Sequence, residues 1–420
     1  METSITRLTR RALLHRSLAI SGGAAAASLV PAAPWARIAA AQGDDTPLTK
    51  EQVIEALKAE GATVTLKSWG FGGLNTDQFP QRFREYTEQT YGVPVELVWD
   101  ADDAILAQYE QANKPIGEAL DVLDKEEDFF PRLKLLEWIE PINLPQYKEI
   151  LTNWDRVEPA YIVEDGLGVI YQGFEWLGMC VRKDQVDPES IKDWTDLAKP
   201  EFKGKIISYP MDEYRGQLIF TGILNSLIKQ GTITGDLFAE ETWIEGLKWY
   251  KANIAPNILK FIDNDEMRTM AQSGQASVIL TWGSYVRELQ GADWNLRDPV
   301  IVPIYPASGM ATDRETITTP HSSKHPVAAR VAVNWMLSRD FLMVGWYKDP
   351  ETGEEKNRWD LDQRQFLVAY AGGINAEDRT LVPDWAKPYY PEDPSSMSVA
   401  VDQPWLASHI EWAWEQYQQL

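Results

Sequence analysis

The chain has 420 residues, of which 40 are Lys or Arg and 63 Asp or Glu, and 44% are hydrophobic. So acidic a surface repels polyanions, which excludes nucleic acid and anionic membrane as natural partners. Cys180 is the single cysteine, so no internal disulfide can form; stability must come from a packed core, and the length suffices for two lobes.

The first 42 residues read as a removable export leader. Arg7, Arg10, Arg11 and Arg16 precede an apolar, small-residue run over 18–30 that is too short to span a bilayer, and Ala39, Ala40 and Ala41 offer a cleavage site near Ala41 or Gln42. The segment from Thr9 to Leu14, built around the Arg10 and Arg11 pair, resembles the twin-arginine export signal. Such a leader implies a periplasmic or extracellular destination. Without it 35 basic and 62 acidic side chains remain, a net charge of about −27.

In chain order, Leu48, Val53, Ile54 and Leu57 sit at helical spacing over 46–60, before Gly61, and predict a short opening helix over 43–61. A strand over 64–69, a glycine-rich turn over 70–75 and a helix over 76–91 follow. The unit repeats as a strand over 93–99, a helix over 104–112 and a third strand over 120–123. This alternation predicts a parallel α/β sheet, with ligands bound beyond the strands' carboxyl ends, at 69–73, 100–103 and 124–127. A second group begins with strands over 168–181, a short helix at Asp193–Leu197 stopped by Pro200, and a strand over 205–209. Helices over 218–227, 242–252 and 264–273 and a strand over 276–281 continue it. Strands over 300–305 and 315–319 and a helix from Pro326 bearing Val327, Val331 and Trp335 come next. The remainder, with a charged insertion over 348–358 and five prolines over 383–404, reads as loops and short helices.

The run Asp193, Trp194, Thr195, Asp196, Leu197, then Pro200, Glu201, Phe202, Lys203, Gly204, Lys205 resembles a signature of the solute-binding receptors of ABC importers, nearest to the spermidine and putrescine group. Lys67, Ser68 and Trp69, then Ser273, Gly274 and Gln275, then Trp282, Gly283 and Ser284, and a helix over 326–340 fall in that family's order. The resemblance implies a type II periplasmic-binding-protein fold, α/β, with two hinge-linked lobes and solute trapped in the cleft between them. It places crossings between lobes near 168–173, 282–284 and 337–341. One lobe would then hold 62–168 with 283–338, the other 171–281 with 340–420. It further implies a monomer that delivers its solute to a permease and an ATPase, without a cofactor and without chemistry on the solute.

Carried over position by position, the resemblance nominates Trp69, Gly70 and Phe71 after the first strand, Lys125 and Glu126 after the third, Asp212, Glu213 and Arg215 after the strand over 205–209, and Trp282, Ser284 and Tyr285 at the return crossing. Aromatic rings suit alkylammonium groups and carboxylates hold ammonium, which favours a polyamine-like solute. Trp69 and Trp282 would serve equally as core residues. Arg215 keeps an anionic solute in play, because a guanidinium grips two oxygens at once, unless it neutralises Asp212 or Glu213. Eighteen Trp keep an oligosaccharide in play. Ferric receptors of this fold carry adjacent tyrosines at the return crossing, where this chain has Trp282, Gly283, Ser284 and Tyr285, and His321, His325 and His409 lack zinc-ligand spacing; no metal is implied. The competing class is an enzyme using Cys180, set in a strand-like Gly178–Val181 where cysteine acts as a small hydrophobe.

Overall fold

A computed structural model describes residues 46–67, 78–100, 104–126, 129–170, 175–283, 289, 299–313, 315–338, 341, 347–348, 355–356 and 397–420. The leader and most of the insertion over 348–358 lie outside the described residues. Two seven-stranded sheets organise the chain, with a separate two-stranded hairpin of β14 (Tyr347–Lys348) and β15 (Glu355–Lys356).

The first sheet grows from the strand–helix repeat. Helix α1 (Lys50–Ala59) starts at Thr49, whose hydroxyl accepts from the Gln52 amide at 3.3 Å while the Gln52 side chain accepts from the Thr49 amide at 2.8 Å. Its apolar side, with Val53, Ala56 and Leu57, is buried. Strands β1 (Thr63–Lys67), β2 (Glu96–Asp100) and β3 (Val122–Glu126) run parallel, separated by helices α2 (Gln78–Tyr91) and α3 (Ala104–Gln111). Beyond α4 (Phe130–Leu135), strands β4 (Ile139–Glu140), β5 (Ile162–Val163) and β6 (Gly168–Ile170) complete this sheet together with β13 (Glu315–Pro320), in the order β2-β1-β3-β13-β6-β5 with β4 on β13.

The second sheet has β7 (Glu175–Arg182) near its centre. Strands β8 (Ile206–Ser208), β9 (Ile258–Phe261) and β10 (Val278–Trp282) are mutually parallel, whereas β10 runs antiparallel to β7. Their connecting helices are α5 (Tyr214–Lys229), α6 (Glu240–Asn253) and α7 (Asn264–Gln272). Strands β11 (Ile301–Ile304) and β12 (Met310–Asp313) also pair antiparallel with β7.

That pairing corrects the expected division of the chain. Residues 301–313 do not return to the first sheet after Trp282; the return falls between Asp313, opposite Glu175, and Glu315, opposite Glu126. The outward crossing falls between Ile170 and Glu175; Ile170 lies opposite Thr316 and Glu175 opposite Asp313, so both crossings start and finish on paired strand ends. Helix α8 (Pro326–Met336) then packs back against the first sheet and α1, buried along its whole length.

The tail departs from expectation too. Strand β16 (Ser398–Val399) pairs with β12, and helix α9 (Gln403–Gln419) runs for 17 residues against α6 and α5. Its start is marked by Asp402, whose carboxylate accepts from the Trp405 amide at 3.0 Å, and by Pro404 in the first turn. Where the sequence suggests loops and short helices, Pro404 opens a helix of about five turns. No helix among the described residues is long and apolar enough to cross a membrane.

Candidate functional site

Because β8, β9 and β10 are parallel, their carboxyl ends open on one edge of the second sheet, as those of β1, β2 and β3 do on the first. Tyr209 follows β8 directly and is fully buried. Its hydroxyl donates to Asn264 Oδ1 at 2.5 Å and lies 3.1 Å from Thr281 Oγ1. Asn264 is the first residue of α7, directly after the cap Asp263, and Thr281 is the penultimate residue of β10. Three chain-distant segments are thereby tied at one point.

Arg215 builds on this point from the first turn of α5. Its guanidinium carbon lies 4.4 Å from the centre of the Tyr209 ring, and Nη1 donates to Asn264 Oδ1 at 3.3 Å. The other arm, Nη2, is paired with the Glu213 carboxylate. Asp212, next in the chain, is exposed, and Trp282, next to Thr281, is half-buried. The structure therefore gathers Glu213 and Arg215 with Tyr209, Asn264 and Thr281, and sets Trp282 on the same strand end. The guanidinium donors that would grip an anion are turned onto Glu213 and Asn264 instead.

Tyr209, Asn264 and Thr281 were not singled out from the sequence. The signal was present for Asn264, which opens a helix directly after a strand, behind an Asp cap. Tyr209 and Thr281 gave no such signal, since a polar atom at a strand end is recognisable only once its partner is in place.

On the first sheet, Lys125 and Glu126 belong to β3 rather than to a loop beyond it, opposite Thr316 and Glu315 of β13. The third strand was placed too early in the sequence because 120–123 holds its most apolar residues, whereas pairing carries it on to Glu126. Lys125 is buried, with Nζ 5.4 Å from the centre of the Phe129 ring. Trp69, Gly70, Phe71, Ser284 and Tyr285 lie outside the described residues, and of Glu126 only the backbone is described.

Cys180 lies in β7, opposite Ile279 and Pro303, and is buried. Burial pushes its thiol pKa well above the ordinary range, so the thiol stays protonated and is a poor nucleophile. It borders a small cavity behind the site, with Trp176, Gly178, Thr281, Gly283 and Tyr305. Among the described residues no three His, Cys, Asp or Glu side chains are grouped to hold a metal.

The signature around Asp193 is structural. Asp193 and Asp196 form a capping box over Trp194–Ala198. The buried Trp194 indole donates to the Gly309 carbonyl at 2.8 Å, and Ser308 Oγ donates to Asp193 Oδ1 at 2.6 Å. Those residues fasten the turn between β11 and β12 onto the second sheet.

A family profile described as bacterial extracellular solute-binding protein matches residues 81–350. The chain belongs to this family. The spermidine/putrescine-binding periplasmic protein of Escherichia coli K12 is 26% identical over 162 residues, 38% of this chain and 42% of that protein, and the Shigella flexneri protein of the same description aligns equally. The chain thus spans under half the length of these curated relatives. Among solved structures, a spermidine/putrescine ABC transporter substrate-binding protein from Streptococcus pneumoniae superposes with a TM-score of 0.61 at 18% identity, covering 85% of this chain and 98% of that one. An ABC transporter protein from Clostridium perfringens gives 0.60 at 17%, and a Trichodesmium protein in complex with iron and citrate ligands 0.55 at 15%, each over 85% of this chain and 98% of the other. At such identity the likeness is one of fold, and the fold is the two-lobed type II architecture of solute-binding proteins.

Proposed function

We propose that the chain is the extracytoplasmic receptor of an ABC importer, capturing a small organic amine of polyamine type between its lobes and delivering it to a permease and an ATPase. One observation carries the choice of solute: Arg215 is committed to Glu213, Asn264 and the Tyr209 ring, so the neighbouring exposed charge at the strand ends is the carboxylate of Asp212. A site whose guanidinium is paired with Glu213, beside an open carboxylate and an aromatic at Trp282, suits a cation. The names of the relatives that align in sequence lean the same way. The first 42 residues act as an export leader on this reading, Trp69 and Tyr285 complete the site, and closure of the lobes about the crossings encloses the solute.

Thermal-shift screening of the mature chain against spermidine, putrescine, amino acids, citrate, phosphonates and oligosaccharides tests this. Stabilisation by the amines, with spermidine recovered chemically unchanged, is the expected result. If only anions stabilise the chain, and Arg215→Ala abolishes that effect, the amine reading is wrong; in an amine receptor Arg215→Ala does not abolish amine binding.

A further inference from the structure

Behind the segment that carries Asp212, Glu213 and Arg215 lies the C-terminal helix. Gln217, fully buried in α5, donates through one amide nitrogen to the Met211 carbonyl at 3.1 Å and to the Ile410 carbonyl of α9 at 2.8 Å. Tyr214, between Glu213 and Arg215, donates its hydroxyl to Gln403 Oε1 at 2.6 Å, in the first turn of the same helix. Gly216 lets the segment lie flat on α5: a Cβ there would come within 2.0 Å of the Pro210 carbonyl oxygen. Within its own lobe the 210–215 stretch is held by the Glu213 amide, which donates to the Pro210 carbonyl at 3.2 Å, and by Arg215 on Asn264 and the Tyr209 ring.

The amides also show what the contact costs. Gln217 Oε1 and Gln403 Nε2 are both buried without a hydrogen-bond partner among the described residues. Turning the Gln217 amide over would aim its oxygen at two carbonyls, so the donor orientation is fixed by its surroundings. Core packing alone would be served better by Leu or Met at 217, which would leave no polar atom stranded. Gln217 is thus a connector, joining a site segment to a helix nearly two hundred residues further along the chain.

We infer that α9 is a working part of the binding site: through Gln217 and Tyr214 it holds the Met211–Arg215 segment, and with it the Glu213–Arg215 pair, in the position that meets the solute. The inference rests on the proposed site. Gln217 and Tyr214 are positioning residues, and their effect on affinity comes from pre-organisation, because a segment left mobile must be ordered when solute binds.

The test uses the full mature chain with Gln217→Met, which keeps the side chain's volume and removes the donor, and Tyr214→Phe, which removes one hydroxyl. Amide hydrogen exchange is followed without ligand, and spermidine binding by calorimetry. Expected are exchange about tenfold faster confined to 211–215, and spermidine binding weakened about fivefold, in both variants. Unchanged exchange at 211–215 overturns the inference, as does faster exchange with unaltered affinity while Asp212→Asn weakens binding. Should the unmodified chain bind no amine at all, the solute assignment fails separately, and the exchange measurement alone then decides whether α9 holds the segment.

Discussion

At the scale of single residues, a buried carboxylate far from the candidate site sets a pH dependence. Glu60 ends α1 and is 8% exposed, and its two oxygens accept from the amides of Val327 at 3.1 Å and Ala328 at 3.0 Å, in the first turn of α8. Burial raises its pKa from 4.5 to about 7, against the lowering effect of those amides. Nearby, Asp121 accepts from Ser323 Oγ at 2.6 Å and bonds His325 Nδ1 at 2.9 Å, and this bond raises the His325 pKa above 6.5. Both groups have folded pKa values above their unfolded ones, so each adds stability that is complete below its unfolded value and lost as pH rises through its folded value. For Glu60 the window is pH 4.5 to about 7, worth on the order of 3 kcal/mol. The melting temperature should therefore fall from pH 5 to 8, and fall less in Glu60→Gln, which is the less stable protein at pH 5. Equal slopes in the two proteins would remove Glu60 from the account. Residues such as Asp193 and Trp194 were legible as a family signature, yet their role in fastening a turn follows only from their partners.

At the scale of elements, close approach between α5 and the signature decides what can be substituted. Gly222 of α5 faces the Trp194 ring, and a Cβ there would lie 2.9 Å from Cζ2. The ring is held by its bond to the Gly309 carbonyl and cannot withdraw, so Gly222→Ala should cost about 1–3 kcal/mol, read in urea unfolding. A loss below 0.5 kcal/mol would mean that the ring yields. Helices with a clear cap or stop were legible from the sequence. Thus α1 and α7 were read within a few residues, because Gly61 and Gly274 end them through local backbone geometry, while their caps Thr49 and Asp263 emerge from the structure. Helix α9 was missed because it follows a proline-rich stretch and its apolar side consists largely of aromatics set among polar residues; Trp405, whose ring centre is 4.9 Å from that of Trp243, reads as helix core only with α6 in place.

For the whole molecule, the chain passes between the sheets from β6 to β7 and back from β12 to β13, where Ile170 lies opposite Thr316 and Glu175 opposite Asp313. If the chain is a closing receptor, saturating spermidine should reduce its radius of gyration in small-angle scattering, and an unchanged value with bound spermidine would show that capture proceeds without closure. The sequence by itself determined the α/β class, through alternating strand and helix periods, and the family, through ordered motifs; both are written in short stretches of chain. Only the tertiary structure decided that residues 301–313 pair with β7, that Lys125 lies within a strand, and that Arg215 turns to Glu213 and Asn264. An apolar strand fits either sheet, and a guanidinium serves either a ligand or a neighbour. The choice rests on hydrogen-bond partners far away in the chain, which no local pattern records.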